Sequence, residues 1–142
     1  MKNKKAFTLI ELLVVIAIIG LLATLSVIAL NNARAKSRDA KRVADIKQIQ
    51  TALELYFNDA QRYPASITAG SSIAYNTTTY MQIIPTSPTP NVAATVNGCG
   101  GTNYTYNVDA NGSSYTLNYC LEGDVNSIVG QTLQTATNAT LK

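Results

Sequence analysis

A chain of 142 residues has room for one small domain beyond any long apolar helix, and this one carries 11 basic side chains, 8 acidic ones and no histidine. Without histidine the commonest general base and metal ligand is missing, and two cysteines alone fall short of a zinc site. The net charge of +3 equals the contribution of Lys2, Lys4 and Lys5, so the rest of the chain balances at 8 against 8 and the overall basicity is no argument for a nucleic-acid partner.

After the short basic stretch 1–6, an apolar run extends from Phe7 to Leu30. Its 24 residues would span roughly 36 Å as a helix, enough to cross a hydrocarbon core. A secretory signal peptide is the competing reading, but its apolar region is about 7–15 residues and ends at a small-residue cleavage site. Glu11 lies inside this run. A carboxylate in hydrocarbon costs on the order of 2.5–3.5 kcal/mol or more, so such a residue normally has a partner. If the chain were cut after Ala6, the new amine of Phe7 would lie one turn from Glu11, in the same chain or in a neighbouring copy.

The segment Lys4-Lys5-Ala6-Phe7-Thr8-Leu9-Ile10-Glu11-Leu12-Leu13 and the apolar helix after it resemble the amino terminus of type IV pilins and type II secretion pseudopilins. The resemblance is close over residues 4–30 and loose along the following helix. The family usually ends its leader in Gly, where this chain has Ala6. The resemblance implies a leader at residues 1–6, cleavage between Ala6 and Phe7 by a dedicated membrane peptidase, and methylation of the Phe7 amine by the same enzyme. It also implies inner-membrane assembly machinery and polymerisation with copies of the same chain, the Phe7 amine and Glu11 setting the register between subunits. No cofactor and no catalytic residue is expected. The precursor would sit in the cytoplasmic membrane as a single pass, in contact with lipid, its amino terminus cytoplasmic. The assembled form would be a cell-surface pilus or a periplasmic pseudopilus. Arg34, Lys36, Arg38, Lys41 and Arg42 follow the span, against the positive-inside bias. The leader's charges act first and the following domain is long, which places residues 31–142 outside the cytoplasm.

From Phe7 to Ala60 there is no proline, and Gly20 is the only glycine, so a single helix is predicted. Its first part (7–30) reads as transmembrane and filament core, its second (31–62) as amphipathic. In that second part Val43, Ile46, Ile49, Gln50, Leu53, Tyr56, Phe57 and Ala60 recur at spacings of three and four and mark a covered face, opposite Arg42, Lys47, Gln48, Glu54 and Asn58. Residues 31–42 are polar or alanine almost throughout, as in a solvated helix or one packed between subunits. Tyr63-Pro64 is read as the stop.

Residues 63–142 read as a small head, giving an α+β class: a long helix packed on a small antiparallel sheet. Residues 65–98 look like connecting loop with one short helix, interrupted by Pro85, Pro88 and Pro90. Asn103–Val108 and Ser114–Leu121 alternate as strands, with Tyr104, Tyr106 and Val108 on one face and Tyr115, Leu117, Tyr119 and Leu121 on the other strand's matching face. Asn111-Gly112 between them is a hairpin signal, both residues tolerating positive φ. A third strand falls around Val125–Leu133, before a Thr- and Asn-rich tail.

Cys99 and Cys120 are read as a disulfide that would stabilise the head by roughly 3 kcal/mol, with free thiols and half a metal site as alternatives. The basic run Arg34, Lys36, Arg38, Lys41 and Arg42 could contact lipid headgroups or DNA, but Asp39 and Asp45 interleave with its cations, which favours a solvated segment with local ion pairs. Asp109, Glu122 and Asp124 follow no recognisable calcium-loop spacing. The leading reading is a structural pilus or pilus-like subunit. A secretion pseudopilin and a DNA-binding or adhesive minor pilin are the alternatives.

Overall fold

The computed structural model describes residues 7–90, 104–125, 128, 130 and 133–138. Among them are one helix, α1 (Leu9–Ala60), and five strands: β1 (Ile73–Tyr75), β2 (Thr78–Met81), β3 (Thr105–Val108), β4 (Tyr115–Cys120) and β5 (Leu133–Thr137). The fold is α+β, as expected from the sequence. The chain divides into two compact units, one running through Arg34 and the other from Ala35.

In the first unit every large apolar side chain from Phe7 to Leu30 is exposed. The same stretch makes α1 long and apolar enough to cross a membrane.

α1 stops at Ala60, three residues before the predicted Tyr63-Pro64 boundary. The stop is conformational. Gln61 turns left-handed (φ 57°), its N–H still bonds the Phe57 carbonyl at 2.8 Å, and its side-chain amide donates to the Asn58 carbonyl at 2.9 Å. These bonds satisfy carbonyls that the helix end would otherwise leave open.

The second unit is built on the predicted stripe of α1. Of the apolar residues of that stripe Ile46, Ile49 and Leu53 are buried, together with Ala52, which the stripe did not include, and with Tyr63, Ile73, Ile84, Tyr115, Leu117 and Ala136. Each buried Ile or Leu among them contributes about 1.5–3 kcal/mol by leaving water. Arg42 contradicts the helical-face prediction: expected on the solvent side, it is 1% exposed.

β3, β4 and β5 form one antiparallel sheet in that order, with Tyr106 opposite Leu117, Val108 opposite Tyr115 and Leu117 opposite Ala136. The hairpin and the inward set Tyr104, Tyr106, Val108, Tyr115 and Leu117 agree with the sequence reading, although Asn103 lies outside the described residues. The turn differs from the one predicted. Only Gly112 has positive φ (68°). The connection is closed instead by Asp109, whose N–H meets the Ser114 carbonyl at 3.0 Å and whose carboxylate accepts from the Ser113 and Ser114 amides at 2.6 and 3.1 Å. A β-carbon at 112 would sit 3.1 Å from Cβ of Arg62. Glycine there allows the close approach in which Tyr63 N–H bonds the Gly112 carbonyl at 2.8 Å.

Two further expectations are corrected. The third strand is Leu133–Thr137, starting where the predicted one ends, and among the described residues of the predicted span Val125 and Ile128 form an isolated bridge. Residues 61–90 contain no helix; they hold the β1–β2 hairpin, joined by Asn76-Thr77 with Asn76 at φ 51°. Its rings pack on α1, Tyr56 lying 5.4 Å from Tyr75 and 6.0 Å from Tyr80, both edge-to-face.

Candidate functional site

Two places concentrate the residues singled out in the sequence: the start of α1, and a charged cluster in the head.

At the start of α1, Thr8 and Glu11 cap the helix reciprocally. The Thr8 amide and hydroxyl both donate to Glu11 Oε2 at 2.8 Å, and the Glu11 amide donates to Thr8 Oγ1 at 3.2 Å. This is a capping box, and its spacing, Thr-x-x-Glu, was readable in the sequence. Glu11 therefore has a partner inside its own chain: its carboxylate satisfies the Thr8 amide and hydroxyl, and the Thr8 hydroxyl oxygen the Glu11 amide, where hydrocarbon could satisfy neither. Oε1 accepts no hydrogen bond among the described residues. Phe7 is described and exposed, whereas Ala6 and the leader lie outside the described residues.

At the second place the expectation of a solvated segment over residues 31–42 holds for most of the stretch, with 31–34, 36, 37, 40 and 41 exposed, and fails at Asp39 and Arg42. Asp39 and Arg42, each 1% exposed, form an ion pair at 2.6 Å. Arg42 Nη1 also meets Glu122 Oε1 at 2.8 Å. Its Nη2 donates to the carbonyls of Pro88 at 3.0 Å and Pro90 at 2.9 Å, and its Nε to Ser87 Oγ at 3.3 Å. Asp39 accepts in turn from the Glu122 amide at 2.9 Å and the Gly123 amide at 2.8 Å. Arg38 closes the cluster with a two-point grip on Glu122, at 2.7 and 2.5 Å. The arrangement fastens α1 to segments 87–90 and 122–123. A buried guanidinium is tolerable because its donors all find acceptors. The paired Arg38 guanidinium, with Arg42 beside it, holds the Glu122 carboxyl below the usual range, and Glu122 holds Arg38 above its own.

The cations left over are Arg34, Lys36 and Lys41, all exposed and without an ion pair among the described residues. The acids considered for calcium are not gathered. Asp109 organises its turn, Glu122 belongs to the cluster, and Asp124 accepts from the Gly130 amide at 2.7 Å.

The tyrosines are bound into the core. Tyr104 donates to Asp45 at 2.9 Å, Tyr106 to the Pro64 carbonyl at 2.8 Å and Tyr63 to Glu54 at 2.9 Å. Burial first, then the carboxylate each one faces, raises the phenols of Tyr104 and Tyr63. Tyr115, buried between Tyr63 and Tyr106, is pushed up to about 12 by desolvation. Cys120 ends β4 opposite Leu133 and is not a free thiol. Cys99 and the glycines around it lie outside the described residues.

The prokaryotic N-terminal methylation motif matches residues 1–27. The chain is similar to the type II secretion system core protein G of Escherichia coli (strain K12), 33% identical over 106 residues that cover 67% of this chain and 73% of that protein. It is 41% identical to the Pectobacterium carotovorum core protein G over 64 residues, 45% of this chain and 41% of the relative. It is also 36% identical to the type IV major pilin protein PilA of Myxococcus xanthus over 61 residues, 43% of this chain and 28% of the relative. The chain thus spans less than half the length of the core G proteins of Pectobacterium carotovorum (41%) and Aeromonas hydrophila (46%). No solved structure matches it significantly.

Proposed function

The chain belongs to the family of type II secretion core protein G and the type IV pilins, and from that membership we propose that it is a structural subunit of a pilus-like filament. It is stored in the membrane as a precursor, and a prepilin peptidase removes residues 1–6 by cutting between Ala6 and Phe7 and methylates the new amine of Phe7. Inner-membrane machinery then polymerises the subunit with copies of itself.

The observation that carries this reading is the first unit: a capped helix whose apolar side chains from Leu9 to Leu30 are all exposed. Such a surface suits lipid before assembly and neighbouring helices after it. Glu11 supplies the register. Thr8 occupies Oε2, which leaves Oε1 for the Phe7 amine of an adjacent subunit. Losing that amine would strand a charge in an apolar core. In the head, a Cys99–Cys120 disulfide secures the end of β4. Imaging a sheared surface fraction together with mass spectrometry of the mature amino terminus tests the proposal. Filaments built of chains that begin at methylated Phe7 are expected; surface filaments of chains that keep the leader would contradict it.

A periplasmic pseudopilus is the second reading, favoured by the 73% coverage of the Escherichia coli core protein G. Deleting the gene separates the two. Loss of exported proteins with no loss of surface fibres selects the pseudopilus, and the reverse selects the pilus. A DNA-capturing role draws little support, because the head's own carboxylates occupy two of the five cations in the basic run.

A further inference from the structure

We propose that the cleft between the end of α1 and the β3–β4 connection is a saccharide-binding site, in which Tyr56, Arg62, Asp109 and Asn111 hold a neutral sugar ring. The inference goes beyond filament assembly and uses the second unit alone, so it stands or falls separately from how the apolar helices pack.

The cleft has a volume of about 350 Å³, at the small end of the range for ligand sites. Its walls come from three places in the sequence: Tyr56 in the last turns of α1, Arg62 and Tyr63 just after the helix stops, and Asp109, Asn111 and Gly112 in the connection. Backbone contacts hold these walls together. The Tyr63 N–H bonds the Gly112 carbonyl at 2.8 Å, and a β-carbon on Gly112 would lie only 3.1 Å from Cβ of Arg62. Tyr56 is steadied from behind by the rings of Tyr75 and Tyr80. The site is therefore formed before any ligand arrives, which lowers the ordering cost of binding.

Three of the lining side chains carry polar groups that the head does not use. The Arg62 guanidinium, the Asn111 amide and the Tyr56 hydroxyl make no hydrogen bond or ion pair among the described residues. Asp109 is engaged only in part. Its Oδ1 accepts both the Ser113 and Ser114 amides, whereas its Oδ2 accepts the Ser113 hydroxyl alone and keeps room for a further donor. The Ser113 hydroxyl first, then the Ser114 amide, hold this carboxyl below its ordinary range, so it is ionised at neutral pH. Arg62 and Asp109 are thus opposite charges that line one cleft without pairing.

This set of groups selects a chemistry. One cation and one anion cancel, so a nucleotide or polyphosphate would gain no net attraction and would meet Asp109 as a like charge. An apolar ligand would desolvate both charges without replacing their water. The cleft instead requires a compact body that offers acceptors to Arg62 and donors to Asp109 and Asn111. Adjacent sugar hydroxyls do both, because each donates once and accepts twice, and the planar guanidinium fork suits two neighbouring oxygens. The apolar C–H face of a sugar ring also has an aromatic surface to meet in Tyr56.

Titration of the full-length, ¹⁵N-labelled chain in detergent micelles is the test. The probes are methyl glycosides of glucose, galactose and N-acetylglucosamine, oligomers of the same sugars, and inorganic phosphate. At least one sugar should shift the amide resonances of residues 62–63 and 109–112 saturably. Its affinity should fall roughly tenfold in Arg62→Gln and by a smaller factor in Asn111→Ala. Both side chains are exposed, so neither substitution removes a core contact. Lys47→Gln, exposed on α1 and outside the cleft, should bind as the native chain does. Tighter binding of an oligomer than of its methyl glycoside marks an internal residue of a polysaccharide as the ligand, and equal binding marks a chain end. No saturable shift with any of these sugars would overturn the proposal. So would sugar binding unchanged in Arg62→Gln, or phosphate bound at the same residues as tightly as the sugar.

Discussion

Asp39 and Arg42, one turn apart on α1, meet at 2.6 Å with 1% of each side chain exposed, and between them they fix two loops that lie 45 to 84 residues away in sequence. Asp39 holds the amides of Glu122 and Gly123, and Arg42 holds Ser87 and the carbonyls of Pro88 and Pro90. Neither charge could lie there alone. Each is stabilised by acceptors or donors that the other segments supply.

Removing one partner should therefore be costly. Arg42→Leu leaves Asp39 buried without its cation and three acceptors without donors, for an expected loss of about 3–5 kcal/mol in urea unfolding. Adding Glu122→Gln to that variant should cost much less than Glu122→Gln does in the native chain, because the two side chains act in one network. Additive losses would mean that the contacts are independent.

The same cluster gives the head an acid-sensitive term. The Glu122 carboxyl is held below its ordinary value of 4.5 by Arg38 first and Arg42 second. A lowered folded value contributes stability that is present above the unfolded value and lost as pH falls through the folded one. Stability should thus be flat above about pH 5 and decline below 4.5, and Glu122→Gln should remove part of that decline. The proton involved faces Arg38, Arg42 and the neighbouring carboxylate of Asp39. Denaturation midpoints measured from neutral pH down to acid read this directly.

Much of the molecule follows from patterns visible in the chain. The single helix follows from the absence of proline and from the switch at residue 30 from continuous to periodic apolar residues, and the β3–β4 hairpin from strict alternation on either side of Asn111-Gly112. The cluster was hidden because charges at helical spacing look the same whether water or a distant loop satisfies them; Glu122 is 80 residues from Arg42. β1 and β2 have three and four residues, too few for periodicity to register. β5 is mostly Thr and Gln around a single buried residue, Ala136, so the register of β4 places it rather than its own composition. At the start of α1, the capping box Thr8-x-x-Glu11 was present in the sequence, although Glu11 first stands out for being charged within an apolar run.

Two neighbouring glycines should respond in opposite ways. A β-carbon at Gly130 would lie 2.1 Å from the carbonyl carbon of Gly123, whereas one at Gly123 would meet nothing within 4 Å. Gly130→Ala should destabilise the head by about 1–3 kcal/mol through backbone displacement, and Gly123→Ala should be close to neutral. Thermal unfolding of the two variants side by side checks the pair, and equal effects would contradict the close approach.

Filament yield from Glu11→Ala, with leader cleavage scored in the same cells, tests the central claim most directly. With the Thr8 cap and the proposed Phe7 amine both deprived of their carboxylate, the chain should still be inserted and cleaved between Ala6 and Phe7, yet filaments in the sheared or periplasmic fraction should fall to background. Filaments at native yield from the processed Glu11→Ala chain would contradict the account.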